Sequence, residues 1–177
     1  KGVFIHGVLS LFEKENFLAE AYASCSFSAL VAASASIKNF NKISISIWNE
    51  ANEITKIEGN SMSNAQLVGI KKLLPSLETE LFNSPRRFLV STSFVKTKEA
   101  AVETQSEKSR RLGQKLLIEA ARNITTWRDN NLEHHLFDTF NDSRTKLITR
   151  ENLKDVLYAT TRMMHAWHIP AYINGEP

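Results

Sequence analysis

Between Thr125 and Phe140 the chain reads Thr-Thr-Trp-Arg-Asp-Asn-Asn-Leu-Glu-His-His-Leu-Phe-Asp-Thr-Phe. Arg128 carries a permanent cation on a forked set of donors. Asp129 follows it directly. His134 and His135 supply the one side chain that titrates near neutral pH without help. Together these groups suit phosphodiester chemistry. A cation offsets the charge that builds on the phosphorane oxygens, and a base or acid moves a proton at the 2′-OH or the leaving oxygen. An Arg and a His, with no metal, are the minimum set for RNA cleavage through a 2′,3′-cyclic phosphate. The bland alternative is a solvated helix face on which Arg128 pairs with a neighbouring carboxylate.

The run Arg128-Asp129-Asn130-Asn131-Leu132-Glu133-His134 resembles the Arg-polar-x(3–5)-His signature of the HEPN superfamily, in particular its AbiU2-like branch. Ile148–Leu157 resembles that branch's last helix, with a capped start followed by Leu-x-x-x-Leu. Asn130 and Glu133 depart from the branch's Lys and Ala, and Glu133 adds negative charge where an RNA phosphate would come. The resemblance implies an all-α fold and a metal-independent endoribonuclease of a toxin–antitoxin or abortive-infection system. It also implies a homodimer that joins two motifs, with an antitoxin protein as a further partner. In those roles Arg128 stabilises phosphorane charge, His134 acts as general base or acid, and Asp129 orients one of them. No cofactor or metal is implied.

On an ideal helix, about 100° per residue, Arg128 and His135 are nearly cofacial, while His134 lies about 120° away. The family spacing favours His134, and loosening at Asn130-Asn131, two poor helix formers, would reconcile the two. His135 stays a second candidate. The basic trio Lys108, Arg110 and Arg111 is the candidate contact for an RNA backbone.

Such a site needs rigid supports. With 177 residues, 42% hydrophobic, six Gly and four Pro, the chain is long enough for a real core and reads as one all-α domain, a bundle of five to seven helices. A net charge of +3 permits phosphate contact without demanding it. Residues 3–36 read as helix in one or two pieces, ending in a small-residue surface at Ala29, Ala32, Ala33 and Ala35. That surface suits core or a dimer interface. A helix from Ser44 or Ser46 to Ile57, capped by Gly59-Asn60, is preferred to a strand over 43–48. Ala65–Phe82 carries a Leu/Ile stripe, with a kink or new start expected at Pro75. Asn83-Ser84-Pro85 is a turn and a candidate internal break. Arg86–Glu107 fits strand or helix. Gly113–Trp127 reads as helix on the stripe Leu116, Leu117, Ala120, Ala121, Ile124 and Trp127, and would anchor Arg128. The last helix is expected over Arg150–Trp167, with Thr149 and Asn152 forming a partial capping box.

Several classes are set aside. In the loop 141–152 the positions that would ligate calcium, Asn141, Ser143, Thr145 and Asn152, hold no carboxylate. No Gly-x-Ser-x-Gly, phosphate loop or paired Cys-x-x-Cys occurs. The single cysteine, Cys25, fits a reducing compartment, and no signal peptide or membrane span is legible, so the expected location is cytoplasmic without a membrane partner. Two rivals to the ribonuclease remain. One is a non-catalytic helical interaction or adaptor protein. The other is a metallohydrolase built on His134, His135 and Asp138.

Overall fold

The structure, a computed structural model, describes residues 2–37, 45–57, 62–165 and 168–177. The expected polar break at 39–42, the Ser44 cap and the Gly59-Asn60 cap lie outside the described residues, as does Trp167.

The all-α expectation is wrong. The chain forms a mixed α/β fold with a four-stranded sheet in the order β1-β2-β3-β4. The strands are β1 (Ala21–Cys25), β2 (Arg87–Val95), β3 (Leu132–Asp138) and β4 (Lys146–Leu147). β1 runs parallel to β2, with Cys25 opposite Ser91. β2 and β3 are antiparallel, with Ser93 opposite His134 and Thr92 opposite His135. β4 runs parallel to β3. The helices among the described residues are α1 (Gly2–Lys14), α2 (Ser28–Ser36), α3 (Ile45–Lys56), α4 (Met62–Glu80), α5 (Lys98–Gln105), α6 (Ser109–Ala121), α7 (Thr126–Asn131) and α8 (Leu153–Thr161).

β2 decides the class. Phe88, Val90, Thr92 and Phe94 are buried while the residues between them are partly or fully exposed, the period-two pattern of a strand with one face in the core. Aromatic and β-branched side chains suit that pleated surface. The same segment fitted a helix in the sequence because five apolar residues in nine satisfy either period. β1 replaces the middle of the expected first helix. Its run Ala-Tyr-Ala-Ser-Cys has no β-branched residue, so alternation is hard to read there.

α2 and α8 cover one face of the sheet, and α4 packs against both of them. Phe88, Val90, Phe94 and Phe137 meet Leu30, Ile70, Leu77, Leu153 and Leu157 in one core cluster. The small residues of α2 are core, with Ala29 and Ala33 fully buried. α4 continues through Pro75 rather than restarting. Pro75 and Lys71 both lie on the exposed side, where water can satisfy the carbonyl that Pro75 leaves unbonded. The capping box before α8 is reciprocal. Asn152 Oδ1 accepts from the Thr149 amide at 2.8 Å, and Thr149 Oγ1 accepts from the Asn152 amide at 3.3 Å. α8 ends at Thr161, short of the expected helix, where Arg162 turns to extended backbone.

At the far end of β2, Arg87 donates from Nε to Asp138 Oδ2 at 2.7 Å, and its Nη2 bonds both Asp138 and Asp142. Asp138 is fully buried, so this pairing is what lets a carboxylate stay in the sheet. The two carboxylates hold the Arg87 guanidinium well above its usual range.

Candidate functional site

The position of Ser26 stands apart from its surroundings. Four described residues other than glycine have positive φ: Asn16, Ser26, Asn123 and Asn174. Asparagine tolerates the left-handed region because its short amide bonds locally, whereas serine has less to offset the steric cost. Ser26 has φ 55° and sits between the last residue of β1 and the first of α2. A strand thus turns sharply into a helix on a strained serine.

Hydrogen bonds tie this turn to α8 and to its own flanking residues. The Ser26 amide donates to Thr160 Oγ1 at 2.9 Å, and Thr160 Oγ1 donates in turn to the Ser91 carbonyl at 2.7 Å. Ser28 Oγ donates to the Cys25 carbonyl at 2.6 Å, and the Ala29 amide donates to the Ser26 carbonyl at 3.0 Å. α2 is buried from Ala29 to Ser36, so the turn cannot relax by shifting the helix.

Ser26 opens on a cavity of about 390 Å³ at the carboxyl ends of β1 and β2. That end of a parallel strand pair is where open α/β sheets place ligands. Ser93, His134, Thr160, Arg162 and Glu176 share its wall. His134 Nδ1 lies 3.3 Å from Ser93 Oγ. Glu176 is paired with Lys146 at 3.4 Å.

No protein-family model, curated protein or solved structure matches the chain. The HEPN resemblance therefore rests on the motif from Arg128 to His134 and on the segment Ile148–Leu157, and the geometry of the motif is not helical throughout. Arg128 and Asp129 lie on α7, exposed, and pair with each other at 3.2 Å. Thr125, and after it Arg128, hold the Asp129 carboxyl below the usual carboxylate range by hydrogen bonding. His134 and His135 lie on β3, where successive side chains point to opposite faces. His134 faces the cavity. His135 lies tilted against Phe94 with ring centroids 4.4 Å apart and reaches Glu133 at 3.0 Å. Arg128 is not on the cavity wall. α7 ends at Asn131, the second residue of the Asn130-Asn131 pair, and a strand follows directly.

Lys108, Arg110 and Arg111 are exposed at the start of α6, away from the cavity. The stripe meant to anchor Arg128 is not buried. α6 buries Ser109, Leu112 and Gly113 instead, and leaves Leu117 and Ile118 more than half exposed. The expected helix to Trp127 breaks at Asn123, the left-handed residue between α6 and α7. Asp138, one of the three residues of the metallohydrolase alternative, is taken by Arg87. Among the described residues no three His, Cys, Asp or Glu side chains converge, and no helix is long and apolar enough to cross a membrane.

Sequence reasoning missed Ser26 because the flanking glycines of Gly-x-Ser-x-Gly are absent. The motif's physical need is small residues two positions to either side, so that strand and helix can approach closely. Ser24 and Ser28 meet that need. The signal was a small-x-Ser-x-small pattern before the run of Ala and Ser in α2.

Proposed function

We propose that the chain is an acyl-transferring hydrolase whose nucleophile is Ser26. The observation that carries this reading is a serine held in left-handed backbone at a strand-to-helix turn, on the wall of a cavity of about 390 Å³. Such a turn presents a hydroxyl at the top of a sheet, clear of the strand beneath it. The next residue, Phe27, is the N-cap of α2, at the end of the helix where amides lack intrahelical acceptors and the positive end of the dipole lies. Its N–H is the natural donor to a developing oxyanion.

In the first step Ser26 Oγ bonds to the ester carbonyl carbon, and the hydroxyl proton passes to a base on the cavity wall, His134 or Glu176. The carbon–oxygen bond to the alcohol then breaks, and the alcohol leaves with that proton. Water cleaves the acyl-serine by the same route and restores the hydroxyl. Exposure to a fluorophosphonate reagent, followed by intact mass and peptide mapping, tests the reading. One adduct on Ser26, lost in Ser26→Ala, supports it. An unmodified Ser26 with no hydrolysis of 4-nitrophenyl esters sinks it. His134→Gln beside Glu176→Gln identifies the base, since only loss of the true base abolishes both the rate and its acid limb.

A second proposal is metal-independent RNA cleavage, with the homodimer and antitoxin partner that accompany it. His134 on the cavity wall supports it. Against it stands Arg128, paired with Asp129 outside that wall. Cleavage of a mixed RNA pool in EDTA, abolished by both Arg128→Ala and His134→Ala, would favour this reading. Neither RNA cleavage nor serine labelling would favour a non-catalytic interaction protein.

A further inference from the structure

Arg162 lies just beyond the end of α8 and shares the cavity wall with Ser26. Its guanidinium donates from Nε to the Ile169 carbonyl and from Nη2 to the Thr104 carbonyl, each at 2.8 Å. Both acceptors are neutral. Thr104 is in the last turn of α5, so the negative end of that helix offsets part of the charge. The other groups that favour the cation are the hydroxyl-bearing rings of Tyr158 and Tyr172. Among the described residues no carboxylate forms an ion pair with Arg162. Glu176, on the same wall, is paired with Lys146. The contrast with Arg87 is direct, since that arginine is answered by two carboxylates.

A half-buried cation without a counter-charge is costly to keep. Burial accordingly pushes the Arg162 guanidinium below its ordinary range. A guanidinium has five donors in a rigid fork that matches a carboxylate or phosphate. The two carbonyls and the Tyr158 hydroxyl fix the direction of the fork and take three of its five donors. We infer that Arg162 forms an oxyanion-binding subsite beside Ser26, so that the cavity takes a short acyl ester carrying its own carboxylate or phosphate. The word ester rests on the Ser26 reading; the anion subsite does not.

The test pairs 4-nitrophenyl hydrogen glutarate with 4-nitrophenyl valerate, esters of equal chain length that differ in a terminal carboxylate. The wild-type protein is expected to show a KM for the glutarate ester lower by about tenfold or more, the effect of one charge-assisted hydrogen bond. Arg162→Gln should bring the two KM values together, and Arg162→Lys should recover part of the difference. Binding is read separately in Ser26→Ala, which keeps Arg162, by titrating glutarate and inorganic phosphate against the Arg162 Nε–H resonance. A saturable shift without hydrolysis of either ester upholds the subsite and overturns the Ser26 reading. Hydrolysis of both esters at equal KM, with no shift of that resonance, overturns the subsite and leaves Ser26 standing. If Arg162→Gln does not fold, the titration decides alone.

Discussion

Ser26 should be a residue at which catalysis and stability are opposed, and replacing it with glycine measures the conflict. Left-handed backbone costs a residue with a Cβ about 1–2 kcal/mol. Glycine escapes that cost but loses about 0.5–1 kcal/mol more conformational entropy on folding. The bonds that hold the turn use the Ser26 amide and carbonyl, and both survive any substitution other than proline. Ser26→Ala and Ser26→Gly remove the same hydroxyl, so their difference isolates the backbone term. Ser26→Gly should be more stable than Ser26→Ala by roughly 0.5–1 kcal/mol. For a chain of this size that is a gain of about 1–4 °C in Tm. Urea denaturation of the two variants at matched m-value is the assay, with fluorophosphonate labelling run alongside. Both variants should lose labelling. Ser26→Gly equal to or less stable than Ser26→Ala would refute the argument, because it would mean the turn stores no strain at this residue.

Gly113 makes a steric prediction. A Cβ there would lie 2.5 Å from the His165 amide nitrogen and 3.0 Å from its Cα, both backbone atoms that cannot swing aside. Gly113→Ala should therefore destabilise by about 1–3 kcal/mol, against the gain of about 1 kcal/mol expected for an unobstructed helix position; a higher urea midpoint would show that α6 does not pack there. Asp142 makes a pH prediction. Bonds from Arg144, and after it Arg87, hold its carboxyl far below the ordinary value. A depressed carboxylate contributes stability that is present above its unfolded value of about 4 and is lost as the pH falls toward the folded one. Asp142→Asn should lose stability at neutral pH and flatten the fall below about pH 4, as followed by acid titration of the circular dichroism signal. An acid limb identical to wild type would show that the Asp142 contacts do not persist in solution.

Local patterns were legible where a helix carries its own signals. The Leu/Ile stripe of α4 and the Thr149–Asn152 cap of α8 were readable because capping and a 3.6-residue period depend only on neighbours along the chain. His134 was also singled out from its residue type, and it does face the cavity. Its partner was not readable. The spacing from Arg128 to His134 means one thing on a helix and another where a helix gives way to a strand at Leu132.

Strand identity was decided by tertiary structure. A run such as Ala21–Cys25 has no strong preference of its own, and becomes a strand because β2 supplies register partners 66 residues away. The exposed stripe of α6 makes the same point in reverse, since apolar periodicity shows that a face can be buried and not that it is. Ser26 depends on the tertiary fold most of all. Its residue type is ordinary, and only the β1–α2 turn, with Thr160 bracing it from α8, gives its backbone a conformation that serine would otherwise avoid. Composition and local period fixed where helices were available. Long-range pairing, whose cost and gain lie outside any window of sequence, decided which segments became sheet and which serine was set at the mouth of the cavity.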